Sequence, residues 1–191
     1  MATYDLTSTS QTAKTKWHKN ISPDEFAHPE LMSPRLIRAL GQTRTALDIP
    51  MYFTYAGGRV RHPNGDAVPH DHPSHARYSL HKAGVNHVES YRAGSLIQAP
   101  DELGLAVDLD FGPDHQTFGA LFDLYVAMEG LNIWGGIGLY PNWHNAGFHL
   151  DVRPKQHNAF GARWVGRTLP GITKQVYPRL TWRIIQEHAA R

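Results

Sequence analysis

Three short strings in this 191-residue chain hold residues suited to metal chemistry. They are Ser79-Leu80-His81-Lys82-Ala83-Gly84, Leu105-Ala106-Val107-Asp108 and Phe148-His149-Leu150-Asp151. Histidine is abundant at 13 residues and cysteine is absent, so imidazole and carboxylate must hold any transition metal. His81, Asp108 and His149, on separate strand or loop edges, fit a catalytic zinc geometry. Three protein ligands leave a fourth position for water or substrate. Zinc so held lowers the pKa of its water to about 7 and polarises a carbonyl, which suits amide hydrolysis. Asp151 reads as a supporting residue that orients His149 or the neighbouring backbone.

Those ligands need rigid elements. Residues 105–111 and 148–153 alternate apolar and polar positions and read as strands. Ser33-Pro34 opens a helix running towards Asp48, with Leu36, Ile37, Leu40 and Leu47 at helical spacing. Residues 50–55 read as a strand, and residues 57–73 as a long Gly/Pro/His loop. A second helix is expected from Asp114 to about Gly130, with Phe118, Leu121, Phe122, Tyr125 and Val126 on one face. Residues 133–139 read as a Gly-broken strand or hairpin arm. The order predicts one α+β domain, a mainly antiparallel sheet with flanking helices. Residues 1–20 read as an extended arm that a neighbouring protein could cover, 21–176 as the domain, and 177–191 as a basic helix or tail. His70, His72 and His75 read as solvated loop histidines. The five tryptophans read as packing anchors, and the 118/122/125 stripe as core.

Composition narrows the class. Apolar residues make up 41% of the chain, enough for a core without disulfides. A formal charge of +2, scattered along the chain, gives no argument for a nucleic-acid partner. No apolar run reaches the roughly 18 residues of a spanning helix, so no membrane partner is expected. The first residues lack the apolar stretch of a secretory signal.

The ordered motifs resemble the M15-type zinc peptidases, the D-Ala-D-Ala carboxypeptidases and L-alanyl-D-glutamate endopeptidases that cut peptidoglycan stem peptides. The family pattern S-x-H-x-x-G-x-A-x-D, followed later by H-x-D, matches at Ser79, His81 and Gly84, then Ala106 and Asp108, then His149 and Asp151. Gly136-Ile137-Gly138-Leu139-Tyr140-Pro141 and Arg163-Trp164 also resemble the family, and coverage runs from Phe26 to Trp164. The resemblance implies zinc at His81, Asp108 and His149, a peptidoglycan peptide as substrate, and Arg59 as the grip on its carboxylate, with Arg61 second. A wall hydrolase without a leader would be cytoplasmic on synthesis. It would reach the wall through lysis or as part of a phage virion.

Two departures shape the expectation. Residues 85–104 are inserted between His81 and Asp108, as a hairpin or lid whose ends must lie beside the metal. If Gly104 is instead taken as the motif glycine, Asp101 falls at the histidine position; the intact Ser-x-His-x-x-Gly string favours His81. The family's catalytic carboxylate falls three residues before the last ligand histidine, and here that residue is Ala146. A peptidase needs a base for the attacking water. His144 matches a family histidine associated with the transition state, and Glu102 and Glu89 of the insertion are candidate replacement carboxylates. The rival expectation is a virion component that keeps the fold, with or without the metal, and has lost catalysis.

Overall fold

The computed structural model describes residues 17–26, 28–55, 60–61, 79–168 and 175–176. Arg59, His70, His72, His75, most of the N-terminal arm and residues 177–191 lie outside the described residues.

Two short 3-10 turns lead into helix α1 (Pro34–Leu47). Ser33 caps it, its Oγ accepting from the Leu36 N–H at 3.1 Å, and Pro34 occupies the first turn where no N–H is needed. The helix stops at Asp48, which takes the left-handed conformation and donates its N–H to the Arg44 carbonyl at 3.0 Å. Strand β1 (Tyr52–Tyr55) follows, and β2 (Val60–Arg61) pairs antiparallel with it. The region expected to be loop throughout therefore contributes two residues of edge strand.

The segment 85–104, expected as a hairpin or lid, is built around helix α2 (His87–Ala93). Asn86 caps this helix by accepting from the Glu89 N–H at 3.0 Å, and Gly94 ends it in the left-handed conformation. The chain then returns alongside its own start. The Asn86 N–H donates to Ile97, Ala99 to Gly84, and Gly84 to Glu102, at 2.7–2.9 Å. Gly104, at the exit, bonds the Leu31 carbonyl and the Ser33 N–H, so the excursion is stitched to the entry of α1.

Strand β3 (Ala106–Asp110) leads through a 3-10 turn at Pro113–His115 to helix α3 (Phe118–Gly130). The helix starts four residues later than the sequence predicts because Thr117, not Asp114, is the cap, accepting from Ala120 at 3.3 Å. Its buried face is Leu121, Leu124 and Met128, and Val126 is half exposed. Strands β4 (Gly136–Tyr140), β5 (Gly147–Asp151) and β6 (Ala162–Val165) complete the sheet, and β7 (Arg167–Thr168) pairs with β8 (Gln175–Val176) apart from it.

The sheet order is β2-β1-β3-β5-β4-β6. All pairs are antiparallel except β4 with β6. The sheet is mixed, and the domain is α+β. Alternation assigns its two faces. Phe53, Val107, Leu109, Ile137, Leu139, Phe148, Leu150 and Val165 are buried on the face that α1 and α3 help cover with Leu36, Ile37, Leu40, Leu121, Leu124 and Met128. The other face carries Asp108, His149, Asp151 and Trp164 among small residues. The sheet thus separates the core from the chemistry.

Gly104 has no room for a side chain: a Cβ there would lie 2.8 Å from the His81 carbonyl oxygen and 3.3 Å from that of Leu31. Both are backbone atoms and cannot rotate away. Gly104→Ala should therefore destabilise the protein by about 1–3 kcal/mol. Urea denaturation reads this as a lowered midpoint; an unchanged midpoint would contradict the close approach.

Candidate metal centre

Asp108 and His149 are direct cross-strand partners in the β3–β5 ladder, on the face away from the helices. His81 comes from the turn that precedes the inserted segment. Ser79 shapes that turn: its Oγ accepts from the His81 N–H at 3.4 Å and its carbonyl from Lys82 at 3.0 Å. The Leu80 carbonyl then accepts from the Leu105 N–H at 2.7 Å, holding the turn against the entry to β3. Although residues 85–104 intervene in sequence, His81 lies where Asp108 and His149 meet.

Three ligand-type atoms converge. His81 Nε2 lies 3.0 Å from His149 Nδ1 and 3.4 Å from Asp108 Oδ1, and His149 Nδ1 lies 3.0 Å from Asp108 Oδ1. Ligand atoms 2.0–2.1 Å from a tetrahedral ion stand about 3.3 Å apart, so the triangle has the size that such an ion needs. Hydrogen bonds alone fill it poorly. Two imidazole N–H groups aimed at one carboxylate oxygen would also be aimed at each other, whereas a cation satisfies all three atoms. His81, Asp108 and His149 form a largely buried group that could hold a metal ion.

Behind this triangle is a second layer of contacts. His149 Nε2 faces Asp151 Oδ2 at 3.3 Å, which leaves Nδ1 for the centre. Asp151 is fully buried, and its Oδ1 accepts from the Arg153 N–H at 3.1 Å and from Arg153 Nε at 2.7 Å. Arg153 Nη2 bonds Oδ2 as well. Arg153 is not legible as a site residue, although it continues the two-residue spacing of His149 and Asp151 just past the end of β5. Burial acts to raise the Asp151 pKa, but the bonds from Arg153 and His149 outweigh it and hold the carboxyl well below its usual range. Asp108 behaves alike: burial opposes its charge, and the adjacent His81 and His149 overcome that and keep it ionised. Burial pulls His149 down, and bonding to Asp108 and Asp151 lifts it to about 9.

The remaining expected residues lie elsewhere. Glu89 sits on α2 and pairs with Arg92 at 2.7 Å; Glu102, Asp101 and His144 are exposed, and none supplies an atom to the triangle. Asp110 caps the turn after β3, its Oδ1 accepting from Gly112 at 2.8 Å. Ala146 carries a finding of its own. Its backbone is gripped by Gln116, whose Oε1 accepts from the Ala146 N–H at 2.6 Å, and its side chain belongs to the hydrophobic core. A carboxylate at position 146 on this backbone would face the core and not the triangle.

Asp151→Asn should weaken zinc binding about 10–100-fold, read by competition against a chelator, because the His149 ring loses its charged support. Unchanged affinity would show that Asp151 does not position His149.

The raised His149 pKa also sets a pH dependence. Its ordinary value is 6.5 and its value in the metal-free fold is about 9. Its contribution is fully present below pH 6.5 and is lost as pH rises through 9, at most about 3 kcal/mol. Zinc competes with the same proton, so zinc affinity should climb over the range in which metal-free stability falls. Denaturation and zinc titrations at pH 6, 7.5 and 9 check both signs.

No family model, no curated protein and no solved structure matches this chain.

Proposed function

We propose that the protein is a zinc-dependent hydrolase of peptide bonds in peptidoglycan stem peptides. The observation that carries this reading is the convergence of His81 Nε2, Asp108 Oδ1 and His149 Nδ1 from three separate parts of the chain, with edges of 3.0–3.4 Å. Three protein ligands of this composition suit a catalytic rather than a structural site, because a coordination position stays open. Bound zinc supplies Lewis acidity and a water acidic enough to act near neutral pH. The order of the motifs supports the choice of substrate.

In this reading the chain's own residues divide the work. Ser79 and the Leu80–Leu105 backbone bond fix His81, and Asp151 with Arg153 fixes His149. Asp108 remains ionised between them. Arg59 takes the substrate carboxylate. Glu102 accepts the proton of the attacking water. It stands at the closing turn of the excursion, where its carbonyl bonds Gly84, three residues after His81. Glu89 is occupied by Arg92. His144, exposed in the turn before β5, takes no proton-transfer step. The protein is placed at the wall by lysis or as part of a phage particle.

One observation favours a second reading. Position 146 is turned into the core and pinned by Gln116, so the backbone does not present the family's base position to the centre. A virion component that keeps the fold and the metal would need no base at all. Among the described residues, no helix is long and apolar enough to cross a membrane, which sets neither reading apart.

Digestion of purified cell walls separates them. The zinc-loaded protein should release new amino termini, and Glu102→Gln should cut the rate at least about 100-fold with zinc content retained. Full zinc occupancy with no release from any wall chemotype would leave the virion reading standing.

A further inference from the structure

Beside the centre, on the same face of the sheet, the side chains change character. The row that pairs Asp108 with His149 continues to Gly138 on β4 and Trp164 on β6. Trp164 lies across Gly138: a Cβ at that glycine would meet the indole at 2.4–2.6 Å. The indole therefore rests on bare backbone, and its centroid comes to 5.3 Å from that of His149. The Trp164 Nε1–H donates to the Tyr140 hydroxyl at 2.9 Å, which fixes the ring. Tyr140 lies in turn over Gly166, at 2.2–2.3 Å from where a Cβ would be. Trp143 stacks on Tyr140 at 4.1 Å with only 13° between the planes.

Trp164 and Trp143 thus form a shelf that leads away from the triangle, joined through Tyr140, which is itself buried beneath them. Trp164 and Trp143 are each half-buried, in contrast to Trp134 in the core. Tyr140 covers one face of Trp143, and the Arg153 guanidinium stands over Trp164 at 5.7 Å from its ring centre, so the exposed part of each ring is the area left for a ligand. The turn that bears Trp143 adds an amide and an imidazole: Asn142 and His144 flank it and both are exposed.

Flat π faces beside amide and imidazole groups match one ligand chemistry well. The faces of aromatic rings are electron-rich and attract the weakly positive C–H bonds of a saturated ring. An amide offers both donor and acceptor to a hydroxyl. We propose that the shelf Trp164–Tyr140–Trp143, with Asn142 and His144, is a carbohydrate subsite that seats a pyranose ring of an uncharged glycan. The ring's C–H face lies on the indoles, and its hydroxyls reach Asn142 and His144. The inference rests on the wall-hydrolase reading for which glycan arrives there, namely the strand that carries the stem peptide. It gives His144 a binding role.

The probe is chitotetraose, a glycan with no peptide, titrated into the full-length protein and followed by tryptophan fluorescence and calorimetry. Saturable binding is expected, weakened at least about tenfold in Trp143→Ala and several-fold in Asn142→Ala, with zinc binding unchanged in both. Three results would overturn the proposal. One is no saturable binding up to about 1 mM sugar. Another is equal binding by both variants. The third is complete displacement of chitotetraose by a sugar-free stem pentapeptide, which would put both in one site and leave no separate glycan subsite. The hydrolase reading fails separately, through walls that release no amino termini, because the glycan titration needs no peptide bond to break.

Discussion

The β3–β5 register, which sets Asp108 opposite His149, is the constraint on which the rest of the molecule depends. A slip of β3 by one residue would turn Asp108 into the core and bring Val107 and Leu109 to the polar face, opposite an unmoved His149. The apolar face is therefore what aims the ligands. Leu109 and Phe148, paired in the same ladder and fully buried, hold the register through packing, and the polar atoms are carried to their meeting point. Crowding two imidazoles and a carboxylate into a dry space is unfavourable by desolvation. Here mutual attraction opposes it, and Arg153 relieves the buried charge of Asp151 on the far side of His149.

Local signals were legible in the sequence where one residue type has one physical job. Ser33-Pro34 announced α1 because a hydroxyl cap and a residue without an N–H both belong at a helix start. The alternation around Asp108 and His149 announced β3 and β5 because one face is core. Signals failed where tertiary structure decides. Thr117 caps a helix expected to start at Asp114, and the 121/124/128 stripe is buried in preference to the 122/126 positions because α3 turns that stripe to the core. Val60–Arg61 pairs as a strand within a stretch whose composition reads as loop. The parallel pairing of β6 with β4 depends on where the chain returns after Pro154, which no periodicity encodes. Arg153 is not legible because an arginine two residues beyond a strand aspartate reads as solvated until the bonds between them are seen. Trp143 and Trp164 read as packing anchors because composition cannot tell which face of a sheet a ring lies on.

Position 146 shows that the triangle and the backbone just before β5 are held by separate contacts. The three atoms of the triangle are set by β3, β5 and the Ser79 turn. The backbone before β5 is set by Gln116, which bonds both the N–H and the carbonyl of Ala146. Those two sets of contacts share no residue. One can therefore be kept while the other drifts, and a side chain at position 146 stays turned to the core whatever the triangle holds.

The excursion between Gly84 and Gly104 leaves and returns at nearly one point, joined by the 2.7 Å bond from the Gly84 N–H to the Glu102 carbonyl. Closing a loop depends only weakly on its contents: each doubling of length costs about 0.6 kcal/mol. His81 and Asp108 consequently do not register how much chain lies between them, and the junction behaves as a port in the fold. Segments of different size and chemistry can be exchanged there while the triangle stays in place. New partners could thus be acquired at the rim of the centre without any change to its ligands, and the spacing between those ligands is a poor guide to kinship among proteins built this way.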